Sequence, residues 1–138
     1  MDAYSSPELA DSSKPLRIFI VENHADTLLW LTRYLEQCGH KVFTARTMGE
    51  AHAKLPVSNC DMLISDIGLP DGDGWELLKS LRLSRPIYAV AMSGFGMSAD
   101  RARSLAAGYR EHIVKPFDPD VLDSILDQAK KEMRISPL

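Results

Sequence analysis

The sequence predicts an α/β fold, a doubly wound parallel sheet of five strands with five helices, and three observations lead there. Short apolar runs alternate with stretches whose apolar residues recur at helical spacing, the connecting segments are short, and the runs close on polar or charged residues. Parallel neighbours need crossover connections, which are right-handed, so this alternation places helices on both faces of one sheet. At 138 residues the chain reads as a single domain able to bury roughly two-thirds of its unfolded surface.

Taken in order, Leu16-Arg17-Ile18-Phe19-Ile20-Val21 suits a strand covered on both faces, and it closes on Glu22-Asn23-His24. From Ala25 to Cys38, Leu28, Leu31, Leu35 and Cys38 return at helical spacing, and Gly39 supplies a C-terminal stop. Lys41 to Ala45 reads as the second strand. Thr47 and Glu50 form the T-x-x-E pattern of a capping box, opening a brief helix that Pro56 is expected to end near Leu55. The apolar run Met62-Leu63-Ile64 leads through Ser65 to a lone carboxylate at Asp66, followed by a turn-rich loop holding Gly68, Pro70, Gly72 and Gly74. Asp73 and Glu76 repeat the capping box before a helix with Leu77, Leu78 and Leu81 on one face.

Ile87 to Met92 forms the fourth strand and closes on Ser93-Gly94-Phe95-Gly96. Ser98 is a candidate cap for a helix through Ala107 that Gly108 stops, and His112-Ile113-Val114 makes a short fifth strand ending at Lys115-Pro116-Phe117. Asp118 and Pro119 are a good N-cap and first-turn pair for a last helix, whose Val121, Leu122, Ile125, Leu126 and Ala129 share one face and need a sheet to cover them. Among doubly wound arrangements the flavodoxin-like strand order 2-1-3-4-5 suits a chain this small. Residues 1–14 read as a flexible N-terminal tail, 15–134 as the folded domain and 135–138 as a C-terminal tail.

Composition excludes several classes of function. A net charge of −3 and a pI near 5.8 give no basic field of the kind that draws nucleic acid, so no direct nucleic-acid contact is expected. No apolar run approaches the length of a membrane span, and Met1 to Lys14 lacks the basic and apolar regions of a secretory signal. Cys38 and Cys60 lack metal-type or C-x-x-C spacing and read as small buried hydrophobes in a reduced, cytoplasmic chain.

In an open parallel sheet the carboxyl ends of the strands border the crevice where ligands bind, so Glu22, Asn23, Asp66, Ser93 and Lys115 converge on one rim. Singly, each is an ordinary turn or surface residue. Jointly, two carboxylates, an amide oxygen and backbone carbonyls make a hard oxygen set suited to Mg²⁺ that keeps several waters. Phosphoryl transfer asks a protein mainly for positioning and for cancelling charge on three equatorial oxygens, which one Mg²⁺, one Lys and one hydroxyl together do. Asp66 is then the nucleophile, since carboxylates form aspartyl-phosphates.

With these residues in order, the chain resembles the receiver domains of two-component response regulators, the group that includes the chemotaxis receiver. The likeness runs from about Leu16 to Lys131. It rests on Val21-Glu22-Asn23, on Asp66 with Pro70 and Gly74, on Met92-Ser93-Gly94, and on Lys115-Pro116-Phe117. The resemblance implies a regulator rather than an enzyme, a switch that takes phosphate onto Asp66 from a phosphohistidine on a histidine kinase or a histidine phosphotransfer protein, with Mg²⁺ bound. Asn23, Asp66 and the Gly68 carbonyl would ligate Mg²⁺, and Glu22 would act through water. Ser93 would bind a phosphoryl oxygen, while Lys115 would pair with Asp66 before phosphorylation and with the phosphoryl group after it. The Lys115-Pro116 bond is expected to be cis, a state that X-Pro bonds reach cheaply. A downstream protein target would read a changed surface on the fourth helix, fifth strand and fifth helix, and phosphorylation-dependent dimerisation is one outcome the family allows.

The sequence departs from the family at two positions. Receivers usually carry two acids after the first strand, whereas the second here is the neutral Asn23, so Mg²⁺ is expected to bind more weakly. His112 stands where the family usually has an inward-swinging Tyr or Phe, giving a switch whose output side is polar or pH-sensitive. Phe95 and Gly68 flank the expected phosphate, and a bulky Phe95 would slow the hydrolytic water. Two rival readings remain at this point, a phosphorylation-independent docking module, which Asn23 favours, and a Mg²⁺-dependent phosphohydrolase using the same intermediate. The chain stops shortly after its last helix, so no output domain is expected, whether the protein stands alone or was cut from a hybrid kinase.

Overall fold

The computed structural model describes residues 14–94 and 98–135, with backbone alone at residues 98, 134 and 135; Phe95 therefore lies outside the described residues. Five strands, β1 (Arg17–Val21), β2 (Lys41–Ala45), β3 (Met62–Asp66), β4 (Tyr88–Ser93) and β5 (Glu111–Val114), form one sheet in the order β2-β1-β3-β4-β5. Every pairing in it is parallel. Five helices alternate with them: α1 (Ala25–Gln37), α2 (Met48–Ser58), α3 (Gly74–Ser80), α4 (Ser98–Ala107) and α5 (Pro119–Ile135). The doubly wound architecture expected from the sequence is the one observed.

The three inner strands explain why their sequences do not alternate. Ile18, Phe19, Ile20 and Val21 are all fully buried, as are Met62 and Leu63 and the run Ala89 to Met92. Successive strand residues point to opposite faces, so burial of neighbours means that both faces are covered. Register then aligns the strand ends: Val21 pairs with Ser65, Asp66 with Met92, and Ser93 with Val114. Glu22, Asp66, Ser93 and Lys115 consequently leave the sheet along one edge.

Local chemistry sets the helix ends. Thr47 Oγ accepts the Glu50 N–H at 3.1 Å, and Glu50 reaches back to the Arg46 N–H at 2.7 Å, one residue before the partner an ideal capping box would use. Asp73 accepts the Glu76 N–H at 2.8 Å and so opens α3. Gly39, at φ 94°, follows α1 in a left-handed turn that residues with a Cβ rarely adopt.

Several boundaries differ from the sequence expectation. Pro56 does not end α2, which continues to Ser58 and stops at Asn59 in the left-handed conformation, φ 53°. So near the C-terminus Pro56 forfeits a single intrahelical bond, and burial of Leu55 and Ser58 on either side holds the last turn together. The loop after Asp66 contains a two-residue antiparallel ladder, Gly68–Leu69 with Gly72–Asp73. Leu81 lies just past α3 as its cap, and α4 begins at Ser98 itself. Cys60 is buried but Cys38 is exposed, because α1 ends at Gln37 and the turn at Gly39 carries Cys38 off the stripe of Leu31 and Leu35.

Leu16–Pro116 forms one compact unit. The last helix, described by itself, extends through Ile135, one residue into the stretch expected as a tail, and Leu122, Ile125, Leu126 and Ala129 on its apolar stripe are buried. Among the described residues no helix is long and apolar enough to cross a membrane.

Candidate functional site

Three charged side chains from three strand ends meet at the carboxyl edge of the sheet. The Lys115 ammonium donates to Glu22 Oε1 at 2.6 Å and to Asp66 Oδ2 at 3.0 Å, joining residues 93 and 49 positions apart in the chain. Glu22 is fully buried, whereas the side chains of Asp66 and Lys115 keep 13% and 23% of their exposure, so the pocket opens to solvent over Asp66. The second oxygen of Glu22 accepts the His24 N–H at 2.9 Å. Both oxygens of Glu22 are thus committed inside the protein, while Asp66 keeps one oxygen outside the ion pair.

The two carboxylates are not electrostatically equivalent. Burial pushes the Glu22 pKa up, but the bonds from Lys115 and from the His24 N–H outweigh it and hold the group below the usual carboxylate range. Burial raises Asp66 above that range, and the negative Glu22 beside it adds to the effect, with Lys115 offsetting only part. Lys115 itself, though partly desolvated, is held above its ordinary value by its two partners. One ammonium between two carboxylates leaves a surplus negative charge, concentrated on the more exposed Asp66.

Two expected outcomes follow for Asp66. Its carboxyl keeps its proton to a higher pH than a free aspartate, so the ionised, nucleophilic form is lost earlier on acidification than for a free aspartate, and any reaction of that oxygen slows correspondingly. A group whose folded pKa is raised adds stability below its unfolded pKa and forfeits it as pH rises through the folded value. At neutral pH ionised Asp66 therefore weakens the fold, and Asp66→Asn should raise the thermal midpoint; a midpoint lowered at pH 7 contradicts this assignment.

The other site residues fall into place unevenly. Ser93 ends β4, and its backbone oxygen accepts the Lys115 N–H at 2.7 Å, which ties the lysine to the neighbouring strand end. The Ser93 hydroxyl lies 2.8 Å from His112 Nε2, so His112 faces inward and is buried. The Lys115-Pro116 peptide is cis. Asn23 and Gly68 are exposed beside the pocket, and the Asn23 carbonyl accepts a bond from the Arg46 guanidinium at 2.7 Å. Among the described residues no group of three His, Cys, Asp or Glu side chains could hold a metal ion. Asp66, Asn23 and Gly68 carry the kind of oxygens, carboxylate, amide and backbone carbonyl, that a hard ion retaining much of its water could use.

Sequence reasoning named Gly74 but not how it supports these groups, and it did not single out Trp75 or Ser104. Gly74 opens α3 against the Asp66 loop, and a Cβ there would stand 2.5 Å from the Asp66 carbonyl oxygen and 3.2 Å from Ile67 Cα. Its N–H donates to the Ile67 carbonyl at 2.8 Å, and its own carbonyl accepts the buried Tyr109 hydroxyl at 2.6 Å. Ser104 and Trp75 bond one another behind His112, Trp75 Nε1–H donating to Ser104 Oγ at 2.9 Å. A buried serine in mid-helix looks in sequence like any surface serine, so no signal pointed to it.

Comparison with known proteins agrees with this arrangement. The family model described as Response regulator receiver domain matches residues 18–127. The KDP operon transcriptional regulatory protein KdpE of Escherichia coli strain K12 is 32% identical over 100 residues, covering 72% of this chain and 44% of that protein. The sensor protein EvgS of the same organism is 31% identical over 125 residues, 88% of this chain and 10% of its own length. The chain thus spans less than half of these curated relatives. Among solved structures, a CheY-like response regulator receiver domain protein from Methanospirillum hungatei JF-1 superposes with a TM-score of 0.77 at 34% identity, covering 86% of this chain and 99% of that one. A two-component response regulator from Clostridium difficile gives a TM-score of 0.81 at 25% identity. By the match of its family model and by its fold, the chain belongs to the response regulator receiver domain family of two-component signalling.

Proposed function

We propose that the domain is a phosphoacceptor switch in which Asp66 receives a phosphoryl group, and that it acts as a regulator modified once per signal. The observation that carries this reading is the Lys115 ammonium shared between buried Glu22 and more exposed Asp66. In the transfer, the outer Asp66 oxygen attacks the phosphorus of a phosphohistidine on a kinase or phosphotransfer protein, an O–P bond forms, the P–N bond breaks, and the imidazole leaves with the electron pair. Glu22 does not react; its 2.6 Å bond anchors Lys115, whose contact with Asp66 can then pass to the incoming phosphoryl oxygens. The Ser93 hydroxyl supplies a neutral donor from the adjacent strand end.

Mg²⁺ is the cation that suits oxygens of these kinds. Asn23, Asp66 and the Gly68 carbonyl would hold it, with Glu22 acting through water, because both Glu22 oxygens are already engaged. When bound, Mg²⁺ supplies charge that offsets the surplus between Asp66 and the phosphate. With one charged ligand among these donors, the affinity should be lower than in a site with three carboxylates. The output surface within Leu16–Pro116 is the one formed by α4 and β5, reached from the pocket through Ser93 and His112, and a downstream protein would read it.

Intact-mass analysis after incubation with acetyl phosphate and Mg²⁺ tests this. The expected result is a single phosphoryl adduct that is absent when Mg²⁺ is chelated and absent in Asp66→Asn. No adduct in the parent protein would leave a docking module as the better reading, while multiple turnover of a phosphate ester would favour a hydrolase.

A further inference from the structure

The entry to α2 holds two separate loops that border the pocket. The first is the exit of β1: the Arg46 guanidinium donates to the Asn23 carbonyl at 2.7 Å, and one residue earlier in each segment the Glu22 N–H donates to the Ala45 carbonyl at 3.0 Å. The second is the loop after Asp66. Its Asp71 accepts the Met48 N–H at 2.8 Å with one carboxylate oxygen and the Gly49 N–H at 2.9 Å with the other. Met48 also lies close against Gly72, where a Cβ would run into its sulfur. Arg46 and Asp71 are both exposed, so neither contact compensates a buried side-chain charge.

Both loops carry an oxygen assigned above to the cation. Asn23 is held through its own backbone carbonyl. Gly68 opens the short ladder in which it pairs with Asp73 and Leu69 pairs with Gly72, and Asp71 sits in the turn between the two halves. Fixing that turn on α2 fixes the ladder, and with it the Gly68 carbonyl. A carboxylate lying across two consecutive N–H groups at a helix start makes charge-assisted bonds and complements the helix dipole. The composition of the donor set gives this placement its weight. Asp66 is the one charged member of the three, and neutral oxygens attract a cation weakly, so their contribution depends on being in place before the ion arrives.

From this we infer that Arg46 and Asp71 are positioning residues that use the entry of α2 as a common brace, setting Asn23 and Gly68 at the spacing a hydrated Mg²⁺ requires. The brace itself stands on geometry, whereas its purpose rests on the phosphoacceptor reading and the cation that reading assigns. The sign of the Arg46 effect is diagnostic. Loss of the Asp71 charge weakens cation binding on any account, but loss of the Arg46 charge would by electrostatics alone tighten it, and loss of positioning weakens it.

MgCl₂ titrations of the ¹⁵N-labelled, unphosphorylated protein, followed through the amide shifts of Asn23, Asp66 and Gly68, read the affinity without any phosphoryl transfer. The parent should show saturable shifts at these positions. Arg46→Ala and Asp71→Ala should each raise the Kd about tenfold, the usual effect of removing a group that orients a metal ligand. Asp71→Asn, with one acceptor oxygen for two N–H groups, should fall between Asp71→Ala and the parent. Thr47→Ala removes the side-chain cap of the same helix without touching either loop, so it should lower the thermal midpoint yet leave the Kd within about twofold of the parent. A Kd unchanged or tightened in Arg46→Ala or in Asp71→Ala overturns the inference while sparing the phosphoacceptor reading. An equal loss of affinity in Thr47→Ala also overturns it, by showing that any loosening of α2 has the same effect. A parent protein without saturable shifts defeats the cation site and the role given to the brace together.

Discussion

Lys115→Met should destabilise the protein by about 3 kcal/mol at neutral pH and abolish phosphoryl acceptance. Breaking a buried ion pair by removing one partner costs about 3 to 5 kcal/mol because a charge is left uncompensated, and the 23% exposure of Lys115 places this case at the low end. Here two charges are stranded, one of them the fully buried Glu22, whose remaining partner is the His24 N–H. The sign of the pH dependence is diagnostic. Without the ammonium both carboxyls have folded pKa values above their unfolded ones, so stability is retained at low pH and lost as pH rises through the folded values. Urea titrations should therefore show the parent and variant converging in acid and diverging toward pH 7. Adding Asp66→Asn to Lys115→Met should recover part of the loss by removing one stranded charge. A constant difference at all pH values would mean that Lys115 matters for packing alone.

Gly74→Ala should have the second-largest effect. The new Cβ would press on the Asp66 carbonyl oxygen at 2.5 Å and on Ile67 Cα at 3.2 Å, both backbone atoms that cannot rotate away. Nor can α3 retreat, since Gly74 is held by the Ile67 carbonyl on one side and the Tyr109 hydroxyl on the other. Overpacking of this kind costs about 1 to 3 kcal/mol, and rigid neighbours place Gly74→Ala near the upper end. Relief has to come from the Asp66 loop, and a displacement of about 1 Å at a reacting group slows transfer roughly a hundredfold. Gly49→Ala is the matched control, because its Cβ would meet nothing closer than 3.5 Å, and its stability should stay within about 0.5 kcal/mol of the parent. Equal effects at the two glycines would remove Gly74 from the account.

What could be read in the sequence was whatever local chemistry decides. Adjacent apolar residues such as Phe19 and Ile20 fixed the strands as doubly covered, and Thr47, Asp73 and Gly39 marked helix ends with side chains or conformations that need no tertiary context. The rim residues followed from topology, since parallel strands bring their carboxyl ends together whatever lies between. Where tertiary contacts override local preference, reading failed. Pro56 stays helical because its neighbours are buried, and Cys38 is exposed because the chain turns before the helical period can place it inside. The partition of charge between Glu22 and Asp66 depends on burial and on which oxygen meets Lys115. Ser104 and Trp75 carry no motif, so their link to His112 emerges from coordinates alone.

Borohydride reduction of the acetyl phosphate-treated protein, followed by peptide mapping, bears most directly on the central claim, because it converts an acyl-phosphorylated aspartate to homoserine and so marks the acceptor in place. The account predicts homoserine at position 66, with yield falling as the reaction pH is lowered into the acid range. Homoserine at any other aspartate, or a phosphorylated protein with Asp66 intact, would contradict it.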